Sequence, residues 1–325
     1  MRAPRRIIEV WLFAAAISSS PSSAVFAQAP AANLEQRATS SITEFPPELA
    51  KWALLEGNPV FRGEGPGHWD AKIRERGWII REGDTYHLWF TGYDGTREGI
   101  KLLGYATSSD GLHWTRSPRN PLVREHWVED MMVARHGDTF YMFSEGGDSN
   151  HAEMLTSNNG IDWKWEGPLD IRKADGRTPA QKPCGTPTVW IEGGTWYLFY
   201  EWKDQGAWLA KSANPMSRVW INVQDEPVLS LGPADYDKEM IALNQVIKYR
   251  GAYYGFYHGS GGGDPRIWNT NVARSIDLVH WTKYARNPIV EENKSSGIVV
   301  PCGSKFRLYT MHDRVDVFQP RPPQN

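Results

Sequence analysis

The sequence predicts an all-β protein folded as a five-bladed β-propeller, whose ring is closed by a strand from the N-terminal side. Three observations carry this prediction. A hairpin motif occurs five times, a turn motif that ends in tryptophan occurs four times, and a proline-containing strand motif occurs five times. Because the motifs follow one another in the same order along the chain, each set of three predicts one repeated structural unit.

The hairpin motif is a glycine turn followed by alternating β-favouring residues. Its copies are 83–90 (GDTYHLWF), 137–143 (GDTFYMF), 194–200 (GTWYLFY), 251–257 (GAYYGFY) and 303–309 (GSKFRLY). An apolar run precedes each copy, so each copy predicts the turn and second strand of a β-hairpin.

The turn motif follows the hairpin and ends in a tryptophan. Its copies are 106–114 (ATSSDGLHW), 155–163 (LTSNNGIDW), 210–220 (AKSANPMSRVW) and 273–281 (ARSIDLVHW). They predict a third strand and a turn closed by a packed tryptophan. Their spacing of roughly 50 residues suits one four-stranded propeller blade.

The proline motif predicts the outermost strand of each blade, where a missing backbone N–H is tolerated. Its copies are 120–123 (NPLV), 167–169 (GPL), 226–229 (EPVL), 287–290 (NPIV) and 58–61 (NPVF). The last of these precedes the first blade, and the final unit has no copy of its own. We therefore expect the N-terminal strand to complete blade 5 and leave no free sheet edge. The alternative is an open β-sandwich.

The N-terminal segment is typical of a secretory signal peptide. Arg2, Arg5 and Arg6 precede an apolar run at 7–17, and small residues follow near Ala27. We expect a signal peptide at 1–27, a disordered lead-in at 28–50 and one propeller domain at 51–320. The protein would be secreted or periplasmic, with no membrane attachment in its mature form. An uncleaved membrane anchor is the alternative, although the apolar run is short for a bilayer span.

Charge and cysteine content exclude other classes of partner. The net charge is -2 and no long basic run occurs, so we expect no nucleic-acid binding. The two cysteines, Cys184 and Cys302, fall at opposite ends of their predicted blades, and we expect them to be unpaired. We expect a monomer that binds carbohydrate.

Ionisable residues cluster where the predicted blades meet at one mouth of the central channel. In a propeller, the start of the first strand and the end of the second strand lie at the same mouth. The strand starts carry Glu75, Arg76, Glu129, Asp130, Thr186, Asn244 and Ser296, and the second-strand ends carry Thr91, Glu145, Glu201, His258 and His312. Like charges held close together push their proton affinities apart. Paired-carboxylate glycoside hydrolysis needs that separation. The alternative is a structural network of ion pairs with Arg74, Arg76 and Arg135.

With these motifs, residues 52–320 resemble the five-bladed propeller glycosidases of glycoside hydrolase families 43, 62, 117 and 130. The resemblance implies a general base at Asp130, which lies ten residues before Phe140, with Glu75 near the equivalent place in blade 1. Family 43 enzymes carry acidic residues at the first-strand starts of three blades, whereas blades 3 to 5 of this chain carry Thr186, Asn244 and Ser296 there. The general acid is therefore expected to be Glu201, with His258 as the second choice. The phosphate-binding pattern of family 130 is not evident.

Further side chains are expected around the substrate. Substrate-binding candidates are Trp69, Asp70, Arg76, Glu129, Glu145, Asn244 and Trp202, and Trp127 is another stacking candidate. Asp70 is also a rival for the base. No zinc-type spacing occurs. His312 is a candidate for a cation or water site, since the related propellers hold a central His there, and a structural Ca²⁺ in the channel is a further candidate.

The sequence therefore predicts a secreted, inverting glycoside hydrolase that cleaves a poly- or oligosaccharide with two channel carboxylates. A non-catalytic carbohydrate-binding propeller is the main alternative. A sialidase-like enzyme is disfavoured by the blade count and by the Asp–Trp spacing of the 108–114 turn. A lyase or an interaction scaffold is disfavoured by the acidic channel.

Overall fold

The computed structural model describes residues 45–146, 151–177 and 184–322. Their strands form five mainly antiparallel sheets around a central channel, which confirms the five-bladed β-propeller. The predicted signal peptide and most of the lead-in lie outside the described residues. Within the described residues, no helix is long and apolar enough to cross a membrane.

The chain enters the ring through a short helix and two short strands. These are α1 (Pro47–Ala50), β1 (Trp52–Leu54) and β2 (Phe61–Arg62). The sequence-based prediction of disorder up to residue 50 is wrong for residues 45–50, because Leu49 is completely buried against blade 5 and Ala50 nearly so.

Each of the first two blades is a four-stranded sheet. Blade 1 contains β3 (Lys72–Glu82), β4 (Thr85–Tyr93), β5 (Leu102–Ser108) and β6 (Thr115–Arg116). Blade 2 contains β7 (Glu129–His136), β8 (Thr139–Gly146), β9 (His151–Ser157) and β10 (Lys164–Pro168). The first strand of each blade lines the channel, and the hairpin motif forms the turn between the first two strands.

Blade 3 is extended by additional strands. It contains β11 (Asp170–Arg172), β12 (Gly185–Glu192), β13 (Thr195–Glu201), β14 (Gly206–Ser212), β15 (Val219–Asn222) and β16 (Leu229–Ser230). β11 pairs in parallel with β15, and this pairing is not signalled by the repeat.

Blades 4 and 5 complete the ring. Blade 4 contains β17 (Met240–Tyr249), β18 (Ala252–Ser260), β19 (Asn269–Ser275) and β20 (Trp281–Lys283). Blade 5 contains β21 (Ile298–Cys302), β22 (Lys305–Met311) and β23 (Arg314–Pro320). Both β1 and β2 pair with β23, so strands from the N-terminal side close the ring as the sequence predicts.

Three of the five copies of the proline motif begin with asparagine, and its side chain explains how those segments attach. The Asn120 amide accepts the Tyr105 backbone N–H and donates to the Tyr105 carbonyl, both at 2.9 Å. Asn58 makes the same pair of bonds to Val317 of β23 at 2.7 and 3.0 Å. The asparagine side chain therefore forms the two hydrogen bonds that a paired strand residue would form. The copy at Asn58 belongs to blade 5.

The polar residues of the turn motif cap the turn that they begin. The Ser108 hydroxyl accepts the Gly111 N–H at 2.8 Å, and the Asp110 carboxylate accepts the Leu112 and His113 N–H groups at 2.8 and 2.9 Å. These bonds pair backbone donors that the turn would otherwise leave open. The motif is accordingly structural in this protein.

Buried side chains from the first strands tie the blades together around the channel. Arg76 is completely buried and reaches carbonyls in blades 2, 3 and 4. The Gln245 side chain pairs with the Val299 backbone at 2.6 and 2.9 Å and so joins blades 4 and 5. Cys184 is buried, Cys302 is half-buried, and no disulfide joins them.

Candidate active site

The first strands begin at one mouth of the channel, and each of the first four carries a β-bulge there. The bulges follow Arg74, Glu129, Gly185 and Leu243. At three of them a non-glycine residue adopts a left-handed backbone, with φ of 55° at Glu75, 46° at Asp130 and 44° at Thr186. Bulges re-aim side chains, and strained residues of this kind concentrate at functional sites.

The second-strand ends lie directly opposite these bulges, as the repeat alignment predicts. Glu145 pairs with Glu129, and Glu201 pairs with Gly185. In blade 4, His258 pairs with Ala242, two residues before Asn244. The mouth therefore brings together carboxyl groups from blades 1, 2 and 3 and a histidine from blade 4.

Glu145 and Glu201 face each other across Gly185. A Cβ atom added at this glycine would lie 2.1 Å from a Glu201 oxygen and 2.6 Å from a Glu145 oxygen. The two oxygens are thus no farther apart than the sum of these distances, and only glycine leaves them room. Glu145 also accepts the Thr186 N–H at 2.6 Å.

Burial and neighbouring charge raise the proton affinity of both carboxyls. Desolvation, followed by the charges of Asp130 and Glu201, raises the pKa of Glu145 well above its usual range. Desolvation, followed by the charges of Asp204 and Asp130, raises the pKa of Glu201 to about 8. At neutral pH Glu201 is therefore mainly a protonated acid.

Asp130 lies between this pair and the acids of blade 1. Its carboxylate accepts the Arg76 backbone N–H at 3.2 Å. Burial, with the charge of Glu75 next in size, raises the pKa of Asp130 to about 6. The charge of Asp130 acts in turn on both Glu145 and Glu201, which makes it the electrostatic centre of the cluster.

Glu75 is the acid held in its ionised form. Its carboxylate lies 3.5 Å from His312 Nδ1 and accepts a bond from Arg74 at 3.0 Å. Burial alone would raise its pKa, but His312, Arg74 and His258 outweigh burial and bring the pKa of Glu75 below its usual range. The interaction with Glu75 is also the largest effect on His312 and raises the pKa of that imidazole.

Glu129 is the second partner of Arg74, which forms an ion pair with it. Trp127 donates its indole N–H to the other Glu129 oxygen at 2.8 Å and so lies beside the mouth. Burial nevertheless raises the pKa of Glu129 to about 7.

His258 and Asn244 form the blade 4 side of the site. With its amide nitrogen directed at His258 Nδ1, 3.0 Å away, Asn244 also accepts the Gly297 and His258 N–H groups at 3.3 Å. His258 Nε2 then faces Asp204 at 3.8 Å. Trp268 packs edge-on against the imidazole, with ring centroids 5.0 Å apart.

Three predicted substrate-binding residues, Arg76, Asp70 and Asn244, have no exposed surface, and the first two are framework residues. Arg76 has no exposed surface, and all of its side-chain hydrogen bonds go to backbone carbonyls. Asp70 is also fully buried and pairs with Arg116 at 2.9 Å, which removes it as a rival base. Arg135 pairs with Glu82 at the far end of its strand, so it takes no part in an ion-pair network at this mouth.

Two tryptophans that the sequence predicts to bind substrate pack against the core, and two further residues reach the site. Trp69 and Trp202 are both half-buried and pack against the core, Trp69 stacked on Phe90 with centroids 5.9 Å apart and Trp202 edge-on to Trp208. Sequence reasoning missed Asp204 and Trp268 as site residues. Their loops lie outside the repeated motifs, so alignment of the repeats gave no signal for them.

A metal site is not evident among the described residues, where no group of three or more His, Cys, Asp or Glu side chains could hold an ion. His312 instead pairs with Glu75. A channel Ca²⁺ remains a prediction.

The raised acid pKa values predict that the protein becomes more stable as the pH falls from about 8 to about 5. The folded protein retains protons on Glu129, Asp130 and Glu201 that the unfolded chain has released, so stability is lost as the pH rises through these folded-state pKa values. Each group lowers the free energy of unfolding by about 1.4 kcal/mol per pH unit, over the range in which it is ionised in the unfolded chain and protonated in the folded protein. His312 acts in the same direction, and Glu75 acts only at lower pH.

Urea unfolding followed by tryptophan fluorescence across this pH range measures this pH dependence. We expect Glu201→Gln to reduce the pH dependence of the free energy of unfolding by the contribution of one titrating group. A free energy of unfolding that is constant or increases with pH would contradict the described electrostatics.

Similarity to known proteins is weak at the level of sequence. No protein-family model matches the chain. Two uncharacterised proteins of Mycobacterium tuberculosis are similar in sequence. Rv1502 is 29% identical over 27% of this chain and 32% of that protein, and MT1551 is 22% identical over 64% of this chain and 74% of that protein. The chain thus spans about a third of the first relative.

Solved structures share the propeller. A glycosyl hydrolase from Bacteroides ovatus has a TM-score of 0.68 at 14% identity, covering 85% of this chain and 95% of that one. A structure from glycoside hydrolase family 130, described as containing hydrolases that target β-1,2-mannosidic linkages in Candida mannan, has a TM-score of 0.65 at 15% identity and covers 85% and 95%. The β-1,2-mannobiose phosphorylase of Listeria innocua, in complex with β-1,2-mannobiose, scores 0.61 at 14% identity and covers 82% and 95%. At these identities the likeness shows the fold alone.

Proposed function

We propose that this chain is a glycoside hydrolase that cleaves a glycosidic bond in an oligo- or polysaccharide, with Glu75 as general base and Glu201 as general acid. One observation carries the proposal. At a single channel mouth, neighbouring groups lower the pKa of Glu75, while burial raises the pKa of Glu201 to about 8. Glycoside hydrolysis needs one ionised and one protonated carboxyl on either side of the scissile bond.

Glu75 suits the base because it is ionised at neutral pH and its side chain is 24% exposed. A water molecule held by this carboxylate would lose its proton as it attacks the anomeric carbon. Asp130, which the family resemblance implies as base, is less exposed and has its pKa raised to about 6. We assign it the role of maintaining the proton on Glu201 through its negative charge.

Glu201 suits the acid better than its neighbours do. Burial also raises the pKa of Glu145, but its Oε1 accepts both the N–H and the hydroxyl of Thr186, whereas Glu201 accepts a single N–H. His258, the second choice from sequence, directs Nδ1 toward Asn244 and Nε2 toward Asp204. Glu201 uses one oxygen for the Asp204 N–H, and its second oxygen lies beside Gly185, on the side that faces Glu145.

The proposed mechanism is a single displacement with inversion at the anomeric carbon. It requires the reacting oxygens of Glu75 and Glu201 to stand about 6.5–9.5 Å apart, which leaves room for the attacking water. Placement on separate blades, with Asp130 between them, supports such a separation. Trp127 and Trp268, at the rim, offer aromatic faces for sugar rings.

The cellular setting is part of the proposal. The signal-peptide pattern at 1–27 supports secretion or export to a periplasm, where a monomeric hydrolase would meet carbohydrate. The free thiols impose no redox requirement on the fold.

The first experiment is incubation of the purified protein with a panel of aryl glycosides and of plant and algal oligosaccharides, followed by chromatography of the products. We expect hydrolysis of at least one substrate, and proton NMR of the first-formed sugar should show the inverted anomer. A retained anomer would overturn the single-displacement mechanism. Saturable binding with no hydrolysis would favour a non-catalytic carbohydrate-binding propeller.

A further inference from the structure

The hairpin between β13 and β14 has a strained tip at the channel mouth. Lys203 and Asp204 both adopt left-handed backbones, with φ of 54° and 57°. Consecutive residues of this kind are usually Asn, Asp or Gly, so Lys203 is the unusual residue of the two. Backbone strain of this type persists only where the surroundings enforce it.

The surroundings here are the neighbouring blade. The Asp204 carbonyl accepts the Ile241 N–H of β17 at 2.7 Å, and Gln205 forms a parallel bridge with the same residue. The Gln205 side chain also donates to the Glu239 carbonyl at 3.1 Å. The tip of a blade 3 hairpin is thus clamped onto blade 4.

This clamp directs both polar ends of Asp204 into the site. Its backbone N–H donates to Glu201 Oε2 at 2.5 Å. Its carboxylate lies 3.8 Å from His258 Nε2. Asp204 therefore connects the proposed general acid with the histidine of the next blade.

We propose that Asp204 is a positioning residue that orients Glu201 through its backbone N–H and retains the Glu201 proton through its negative charge. The inference rests on the proposed function in so far as Glu201 is the general acid. Asp204 acts through Glu201 and is assigned no contact with substrate.

Among the charged groups around Glu201, Asp204 has the largest effect on the pKa of Glu201. Glu145 faces Glu201 from β8, Asp130 acts on it from β7, and His258 lies beyond Asp204 on β18. Burial is the largest cause of the raised pKa of Glu201, and the charge of Asp204 is next, ahead of the charge of Asp130. The N–H bond from Asp204 opposes these effects because it favours the ionised carboxylate.

Asp204→Asn separates the two contributions. Asparagine tolerates the left-handed backbone and keeps the N–H, but it removes the charge. We expect the pKa of Glu201 to fall by about one unit, as suits the loss of one nearby like charge. Carbon-detected NMR of glutamate carboxyls, with the Glu201 signal assigned from Glu201→Gln, measures this pKa without any substrate.

The matched control is Asp84→Asn, which removes a charge from the fully exposed turn of the β3–β4 hairpin. We expect it to leave the Glu201 titration unchanged. An Asp204→Asn protein that is folded by circular dichroism and titrates like the wild type would overturn the proposal.

The same variants should differ in catalysis. For a substrate that the wild type hydrolyses, Asp204→Asn should move the alkaline limb of the kcat/KM profile to lower pH by about one unit, because Glu201 loses its proton earlier. An unchanged limb would count against Asp204. If the wild type hydrolyses nothing, the proposed function fails, whereas the NMR titration still decides whether Asp204 controls the Glu201 proton.

Discussion

Glu201→Gln is expected to lower kcat/KM for a natural oligosaccharide by about 10²–10⁴-fold, because glutamine cannot donate the proton that the leaving oxygen needs. Glu75→Gln should cause a loss of the same order, since the attacking water would then have no ionised base. Both variants keep the size and polarity of the side chain, so the fold should survive, and circular dichroism checks this.

The two roles can be separated by the leaving group. A dinitrophenyl glycoside releases a stable phenolate and needs little protonation, so Glu201→Gln should retain most of its activity on that substrate. Glu75→Gln should remain slow on it, and added azide should restore its turnover by replacing the activated water. If azide restores Asp130→Asn instead, the base is Asp130, as the family resemblance implies.

Glu192→Gln is the matched control, because Glu192 lies at the opposite end of the same hairpin and pairs with Lys248. We expect its kcat/KM to stay within about twofold of the wild type. Full activity of both Glu75→Gln and Glu201→Gln would remove the paired-carboxylate mechanism.

Arg76→Met is expected to lower the free energy of unfolding by at least about 3 kcal/mol. The guanidinium donates to carbonyls of Asp130 and Met131 in blade 2, Pro187 in blade 3 and Asn244 in blade 4. Methionine fills part of the volume but leaves these buried acceptors without donors. Burial lowers the pKa of Arg76 only to about 10, so the native side chain remains charged at neutral pH.

Urea unfolding at pH 7 measures this loss, with Arg81→Met as the control on the same strand. Arg81 is partly exposed and lies 3.7 Å from the fully exposed Asp84, so its loss should cost less than about 1 kcal/mol. Equal effects of the two substitutions would show that the blades do not depend on the central arginine.

The architecture was largely predictable, because its signals are local. A glycine turn between β-favouring runs specifies a hairpin wherever it occurs, and Gly83 and Gly137 indeed adopt left-handed turn conformations with φ of 58° and 60°. The motif at 58–61 also placed the closing strand correctly. The parallel pairing of β11 with β15 carried no such signal, since it involves no repeated motif.

The candidate site was predictable in outline. Alignment of the hairpins placed Glu129, Glu145 and Glu201 at the same mouth, and the structure pairs Glu129 with Glu145 and Glu201 with Gly185. It could not reveal that Arg76 and Asp70 are fully buried, because their partners come from distant parts of the chain.

The sequence by itself determined the number of blades, their order and the mouth at which the acids gather, because strand periodicity and turn chemistry act over a few residues. Only the tertiary structure decided which acid is ionised and which retains its proton. That division depends on burial and on charges from other blades, as when His312 of blade 5 lowers the pKa of Glu75. It also depends on backbone N–H groups such as that of Asp204, which no pattern of side chains along the chain reveals.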